Sequence, residues 1–200
     1  MDTIITPDMA YNLARLKNIQ GEAVFSECKT YRYVLTRTWG NTSKRCNFIM
    51  MNPSTADEFK LDPTVRKCLV WAILWGYGEL VVTNLFAYRS TDVRQIKRVD
   101  DPIGSDNDKF IQEVMENCKD GLIVCAFGRN GLYLNRHWDL FTIADKVEAK
   151  LHYLHMNDDN TPAHPLYLSS SLKPIWWDYK NAKAVDDQQP RRLANTRSSI

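Results

Sequence analysis

The feature that most constrains the fold of this chain is an alternation of short apolar runs with amphipathic segments. The runs CNFIMM, ELVVTNLFA, GLIVCAFG and KLHYLHM have the length of strands and are almost continuously apolar. Strands buried on both faces have this composition, and helical segments between them are typical of a parallel sheet covered by helices. We therefore predict an α/β fold, a three-layer α/β/α domain with a central, mostly parallel, four-stranded sheet.

The segments between these runs have helical periodicity and recognisable ends. In LDPTVRKCLVWAILWGYG, Asp62 suits the N-cap, Pro63 suits the first turn, and Gly76 ends the helix. SDNDKFIQEVMENC predicts a second helix, with Ser105 as its cap. LYLNRHWDLFTIADK predicts a third helix.

The beginning and end of the chain have different patterns from its centre. EAVFSEC and YRYVLTRTW alternate and are joined at Lys29-Thr30, which predicts an N-terminal β-hairpin before the sheet. Residues 5–18 suit a short helix. Residues 1–180 are predicted to form a single domain, and the polar residues 181–200 a flexible tail.

Composition excludes several classes of protein. Charged residues make up 25% of the 200 residues and the net charge is +2, which permits a nucleic-acid partner without requiring one. No apolar run approaches the roughly 18 residues of a membrane span, and no signal peptide is evident. The five cysteines are widely spaced without a CxxC pair, so we expect a reducing, cytoplasmic location.

Motifs for several common chemistries are missing from the sequence. It has no GxxxxGK[ST] or GxGxxG loop for phosphates, no GxSxG nucleophile elbow and no HExxH zinc motif. His152 and His155 are three residues apart in a predicted strand, so they point to opposite faces. We predict no cofactor and no metal.

Polar residues that follow the predicted strands are the candidates for a site. In open α/β sheets, ligands bind outside the carboxyl ends of the strands. This rule selects residues 52–57, 83–92, 127–130 and 155–164, and brings Asn52 and His164 to one edge of the sheet. The same residues also suit ordinary turns and caps, because loops are polar and Asn-Pro-Ser-Thr favours turns.

Two short motifs carry a resemblance to known families. MNPS after the first core strand and HPLYLS after the last, with VVTNLF and IVCAFGRNG between them, resemble the motifs of the uracil-DNA glycosylase superfamily. The pattern MNPSTAD, DPT, NLFA, TD and HPLYL, over residues 31–177, resembles domain of unknown function 1643, which occurs in bacteria and phages. The glycosylase resemblance implies the fold of that superfamily and cleavage of an N-glycosidic bond.

Roles for individual residues follow from that chemistry. Cleavage needs a positioned water, stabilisation of the departing base and a pocket that holds the base out of the stack. We expect Asn52 to position the water, His164 to stabilise the base, and Leu166 or Tyr167 to fill the vacated place in the stack. The nearby carboxylate Asp57 is the third catalytic candidate. The substrate-binding candidates are Pro53, Ser54, Thr55, Asn84, Phe59, Tyr88 and Arg89, and those for a nucleic-acid rim are Lys44, Arg45, Arg94, Lys97 and Arg98.

Three functions remain open on the sequence alone. The first is an enzyme that hydrolyses the N-glycosidic bond of a base, ordinary or modified, in DNA. The second is a non-catalytic protein that binds nucleic acid or a modified nucleotide, since an amide at Asn52 cannot deprotonate water. The third is an enzyme acting on free nucleotides. We expect a DNA or nucleotide partner and no membrane.

Overall fold

The structure is a computed structural model that describes residue 12 and residues 19–40, 44–54, 56, 62–118 and 120–181. The predicted helix over residues 5–18, apart from residue 12, and the predicted tail after residue 181 lie outside this part. None of the described helices is long and apolar enough to cross a membrane. The strands are β1 (Gln20–Phe25), β2 (Arg32–Thr38), β3 (Arg45–Met50), β4 (Glu79–Asn84), β5 (Leu122–Cys125), β6 (Leu151–Tyr153) and β7 (Ile175–Trp176). The α-helices are α1 (Pro63–Leu74), α2 (Val93–Ile96), α3 (Asn107–Glu116) and α4 (Arg136–Lys146), and two 3-10 segments span Arg129–Asn135 and Pro165–Tyr167.

All seven strands belong to one mixed sheet, in the order β1-β2-β4-β3-β5-β6-β7. Strands β4, β3, β5 and β6 pair in parallel, whereas β1-β2, β2-β4 and β6-β7 pair in antiparallel. The mixed α/β class and the N-terminal hairpin are therefore confirmed. The sheet is wider than the predicted four strands because the hairpin continues it beyond β4 and β7 extends it beyond β6.

Both faces of the sheet are covered by apolar side chains from the helices. Phe48 and Met50 of β3 belong to the buried cluster formed with α1, and Ile49 between them belongs to the cluster formed with α3 and α4. Successive side chains of a strand point to opposite faces, so a strand packed on both sides has no polar face. This explains the continuous apolar run that the sequence contains here.

The ends of the helices follow local chemistry. Asp62 caps α1 by accepting a hydrogen bond from the backbone N–H of Val65 at 2.8 Å, and Pro63 begins the helix, both as predicted. The predicted cap Ser105 is wrong: the N-cap of α3 is Asp106, and the Ser105 hydroxyl instead lies 3.2 Å from its carboxylate. The two side chains interact with each other rather than with the helix, so α3 has no side-chain cap.

The predicted third helix is divided into two parts. A 3-10 segment precedes α4, and the chain turns at Leu134 and Asn135, which have φ values of 53° and 58°. Left-handed backbone interrupts a helix because it reverses the direction of the hydrogen-bonding groups. Periodicity extends across this turn in the sequence, so the pattern alone did not reveal the break.

Two buried polar side chains donate hydrogen bonds to the backbone where the chain leaves β4. Asn107, which has 0% exposure, donates from Nδ2 to the carbonyls of Asn84 and Leu85 at 2.9 and 3.0 Å. Arg136, buried except for 2% of its surface, donates from Nε to the same Leu85 carbonyl at 3.1 Å. Buried carbonyls without donors are costly, so these two side chains fix the course of the chain as it leaves β4.

The five cysteines are free thiols in different environments. Cys28 is exposed in the turn between β1 and β2, with its sulfur 3.3 Å from the Ser26 hydroxyl. Hydrogen bonds, first from Ser26 and then from Thr30, lower the pKa of the Cys28 thiol to about 7. Burial instead raises the pKa of the other four thiols, Cys46, Cys68, Cys118 and Cys125. The cytoplasmic location stays a prediction.

Cys28 is expected to react first with iodoacetamide, because the thiolate is the nucleophile. Its alkylation rate in the folded protein, followed by mass spectrometry, should rise with pH through a midpoint near 7. The variant Ser26→Ala should move that midpoint upward. In urea all five thiols should titrate together, which serves as the control. An ordinary thiol midpoint for Cys28 in the folded protein would contradict this assignment.

Candidate functional site

A cavity of about 620 Å³ lies at the carboxyl ends of the parallel strands. The chain passes from β3 to β4 on one side of β3 and then crosses to β5 on the other side, so β3 and β5 form a topological switch point. Loops leaving such a pair of strands separate in opposite directions and open a crevice where ligands bind. We call this space the carboxyl-edge cavity. The residues that line it include Arg32, Asn52, Ser54, Asp62, Gly128, His164, Leu166 and Tyr167.

Asn52 occupies the end of β3 in a fixed orientation. Its Nδ2 donates to the carbonyl of Ser90 at 2.8 Å and to that of Pro53 at 3.0 Å. Both N–H groups of the side-chain amide therefore donate to backbone carbonyls. Because carbonyls only accept, these partners distinguish the amide nitrogen from the amide oxygen. Its Oδ1 has no hydrogen-bond donor among the described residues, so Asn52 offers a held acceptor to a water or ligand.

The loop after β4 is joined to the end of β3. The backbone N–H groups of Leu85 and Phe86 donate to the carbonyls of Met50 and Met51, each at 2.9 Å. The N–H of Ser90 donates to the Pro53 carbonyl at 2.9 Å. These bonds continue the parallel pairing beyond the strands, and they place the carbonyl that orients Asn52.

His164 lines the same cavity as Asn52 and lies immediately before the second 3-10 segment. Its Nδ1 accepts a long hydrogen bond, 3.4 Å, from the backbone N–H of Leu166. A neutral imidazole that accepts at Nδ1 carries its proton at Nε2, which is then a donor for a ligand. Partial burial of the ring lowers the pKa of His164, which favours this neutral form near pH 7.

Gly128 joins the loop after β5 to the segment that carries His164. Its backbone N–H donates to the Pro162 carbonyl at 2.8 Å, while the N–H of Ala163 donates to the His155 carbonyl at 2.8 Å. Gly128 has a φ of 64° and a ψ of −177°, a conformation that is essentially restricted to glycine. Gly128, the first of the two glycines of the FGRNG segment, therefore permits the backbone contact that positions His164.

The other predicted residues at the end of β3 divide into two groups. Pro53 is buried, and its carbonyl accepts the bonds from Asn52 and Ser90 described above, while Ser54 is half-buried and lines the cavity. Thr55, Asp57 and Phe59 lie outside the described residues, so their predicted roles stay predictions.

Three predicted substrate-binding residues lie away from the cavity wall. Asn84 is fully buried behind it and accepts a weak hydrogen bond, 3.4 Å, from Arg32 Nη2. Tyr88 packs edge-on against Tyr31, with ring centroids 6.1 Å apart. Arg89 donates to the Lys29 carbonyl at 3.1 Å and is held beside the hairpin. The structure does not bring these side chains together with Asn52 and His164.

The residues of the predicted basic rim lie at opposite ends of the parallel strands. Lys44 and Arg45 lie at the amino end of β3, about 17 Å from its carboxyl end at roughly 3.3 Å per residue. Arg45 is also paired with Glu79 at 2.8 Å. The remaining rim residues follow β4 on the cavity side and are exposed: Arg94, already paired with Asp92, Lys97 and Arg98.

Arg32 is a cavity residue that sequence reasoning missed. It is 1% exposed, and its Nη1 donates to the Ala56 carbonyl at 2.6 Å. A buried arginine in an alternating strand looks like any solvent-facing charge in the sequence, so no pattern signals it. It supports the segment that leaves β3.

A second cavity, of about 870 Å³, lies at the amino end of β6. Lys150, His152 and Trp176 contribute to its walls. It is larger than the carboxyl-edge cavity, but it lies away from the strand ends where α/β proteins bind ligands. Over the described ranges, no group of three or more His, Cys, Asp and Glu residues has the arrangement of a metal site.

The chain is thus a mixed α/β protein with a cavity at the switch point of its sheet. A family model described as "Protein of unknown function (DUF1643)" matches residues 32–166, and the chain belongs to this family. The matched range begins in β2 and ends after His164, so it includes both Asn52 and His164. No curated protein matches the chain.

Proposed function

We propose that this protein hydrolyses the N-glycosidic bond of an ordinary or modified base in DNA, as its resemblance to uracil-DNA glycosylases implies. One observation carries the proposal: a fixed acceptor, Oδ1 of Asn52, and a neutral donor, Nε2 of His164, belong to the same cavity. Hydrolysis of this kind needs an acceptor for water and a donor for the departing base.

The proposed fold is the three-layer arrangement of that superfamily, with the four parallel strands at its centre. Helix α1 packs on one face of the sheet, and α3 and α4 pack on the other, which supports this arrangement. In this interpretation the hairpin and β7 are additions to the two edges of a common core.

The proposed reaction uses the two side chains on opposite sides of the bond that breaks. Asn52 accepts a hydrogen bond from the water that attacks the sugar carbon. The bonding electrons pass to the base, and His164 donates from Nε2 to the base oxygen where negative charge develops. A neutral donor suits this step, since the charge it stabilises exists only during and after bond breaking.

DNA is the proposed partner because of two features around the cavity. Tyr167 is 91% exposed at the rim, next to the His164 turn, where an aromatic ring can fill the place of an extruded base. The basic residues Arg94, Lys97 and Arg98 follow β4 on the same edge and suit contacts with phosphates.

A second candidate function is binding of a free or modified nucleotide. The cavity volume of about 620 Å³ is within the usual range for small-molecule pockets. The amide group of Asn52 has no capacity to take a proton from water, which favours a binder over a catalyst unless another residue supplies the base.

These functions are separated by a panel of substrates. Single- and double-stranded DNA containing uracil, mismatched thymine or enlarged pyrimidines is incubated with the protein, and abasic sites are scored by alkaline cleavage. Cleavage of at least one substrate is expected, with loss in Asn52→Ala and His164→Ala. Salt-dependent DNA binding without cleavage would support a nucleic-acid binder. Binding of mononucleotides alone would support the free-nucleotide candidate.

A further inference from the structure

We infer that Asp62 is the carboxylate that takes the proton from the attacking water, an inference that rests on the proposed hydrolysis. Asn52 can hold a water but cannot deprotonate it, so the site needs a separate proton acceptor. Among the described residues that line the carboxyl-edge cavity, Asp62 is the single carboxylate. Neither composition nor motif spacing identified it as more than a helix cap.

The position of Asp62 is fixed by its role at the start of α1. Its Oδ1 accepts from the N–H of Val65 at 2.8 Å, and its backbone carbonyl accepts from the N–H of Arg66 at 3.0 Å. Its Oδ2 has no hydrogen-bond partner within the described part of the chain. One carboxylate oxygen thus anchors the side chain, and the other remains for a ligand.

A second observation places this carboxylate in the same electrostatic environment as His164. Burial lowers the pKa of His164, and the negative charge of Asp62 acts in the opposite direction and raises it. Charges influence each other in this way when they are close and incompletely screened. The geometry agrees, because Asp62 and His164 both line the carboxyl-edge cavity although they are far apart in sequence.

The proposed step is balanced in atoms and electrons. The water oxygen bonds to the sugar carbon as the bond from that carbon to the base nitrogen breaks, and the bonding pair leaves with the base. The water proton passes to Oδ2 of Asp62 and later to solvent. The departing base, hydrogen-bonded to Nε2 of His164, is protonated by solvent after release.

The variant Asp62→Asn separates this role from helix capping, because asparagine is an equally good N-cap. The single-turnover excision rate should fall by at least about 100-fold, the usual contribution of a general base. The melting temperature should stay close to that of the wild type. Asp106→Asn is the matched control, since Asp106 is the N-cap of α3, makes no side-chain cap bond and does not line the cavity. It should keep the wild-type rate.

Asp57→Asn, measured in parallel, tests the carboxylate expected from the sequence. A loss of activity in Asp57→Asn, with activity retained in Asp62→Asn, would overturn the inference while leaving the proposed hydrolysis intact. Full activity in both Asp57→Asn and Asp62→Asn would also overturn the inference and leave the proposed hydrolysis intact. If the wild type excises no base from any substrate, the proposed function fails, and this inference fails with it.

The titration of His164, monitored by NMR, gives a readout that is independent of activity. Removal of the Asp62 charge should lower the His164 midpoint, whereas Asp106→Asn should leave it unchanged. An unchanged midpoint in Asp62→Asn would show that the Asp62 charge does not act on the space beside His164, and would overturn the inference.

Discussion

His164→Ala is expected to lower the rate of base excision by about 100- to 1,000-fold, the usual loss on removal of a donor that stabilises developing negative charge. The physical reason is the position of Nε2: Nδ1 accepts from Leu166, so the donor side of the ring remains for the base. Single-turnover kinetics on the best substrate of the panel would measure this loss without interference from product release.

Two further variants separate the donor from the turn it caps. His164→Asn keeps an acceptor for the Leu166 N–H but shortens the side chain, so its rate should fall nearly as far as that of His164→Ala. His152→Ala removes a histidine that does not line the carboxyl-edge cavity and should leave the rate within about twofold. Full activity in His164→Asn would reduce His164 to a structural cap.

Asn107→Leu is expected to lower the free energy of unfolding by about 2–4 kcal/mol, because two hydrogen bonds to buried carbonyls are lost at nearly constant volume. Those carbonyls belong to Asn84 and Leu85, where the chain leaves β4. The loop that begins there ends at Ser90, whose carbonyl orients Asn52. Substrate excision should therefore also slow, although Asn107 does not line the cavity.

Urea unfolding followed by tryptophan fluorescence measures the change in stability. Asn117→Ala is the matched control, because it alters the same residue type at the exposed other end of α3. It should change the stability by less than about 0.5 kcal/mol. Equal stability of Asn107→Leu and the wild type would show that the hydrogen bonds from Asn107 to the two carbonyls contribute little to the free energy of unfolding.

Much of the central fold was predictable because each of its signals is local. The apolar run at β3 and the Asp62-Pro63 start of α1 depend on residues close together in the chain. Asn52 and His164 were expected at one edge because parallel strands bring their carboxyl ends together, and the structure places both on one cavity.

The parts that were not predictable depend on tertiary contacts. Arg32 looks like a solvent-facing charge in an alternating strand, yet it is buried and lines the cavity. Strand β7 is two residues long, too short for any pattern to signal. Asp62 was assigned as a cap from its local sequence, and its place on the cavity wall follows only from the way α1 packs on the sheet.

The central claim is that the carboxyl-edge cavity releases a base from DNA, and the most direct measurement is the identity of the released product. Mass spectrometry of a single-turnover reaction should detect one free base per abasic site formed, and with His164→Ala both products should form about 100- to 1,000-fold more slowly. Strand breaks without a free base, or no free base from any substrate of the panel, would contradict the account.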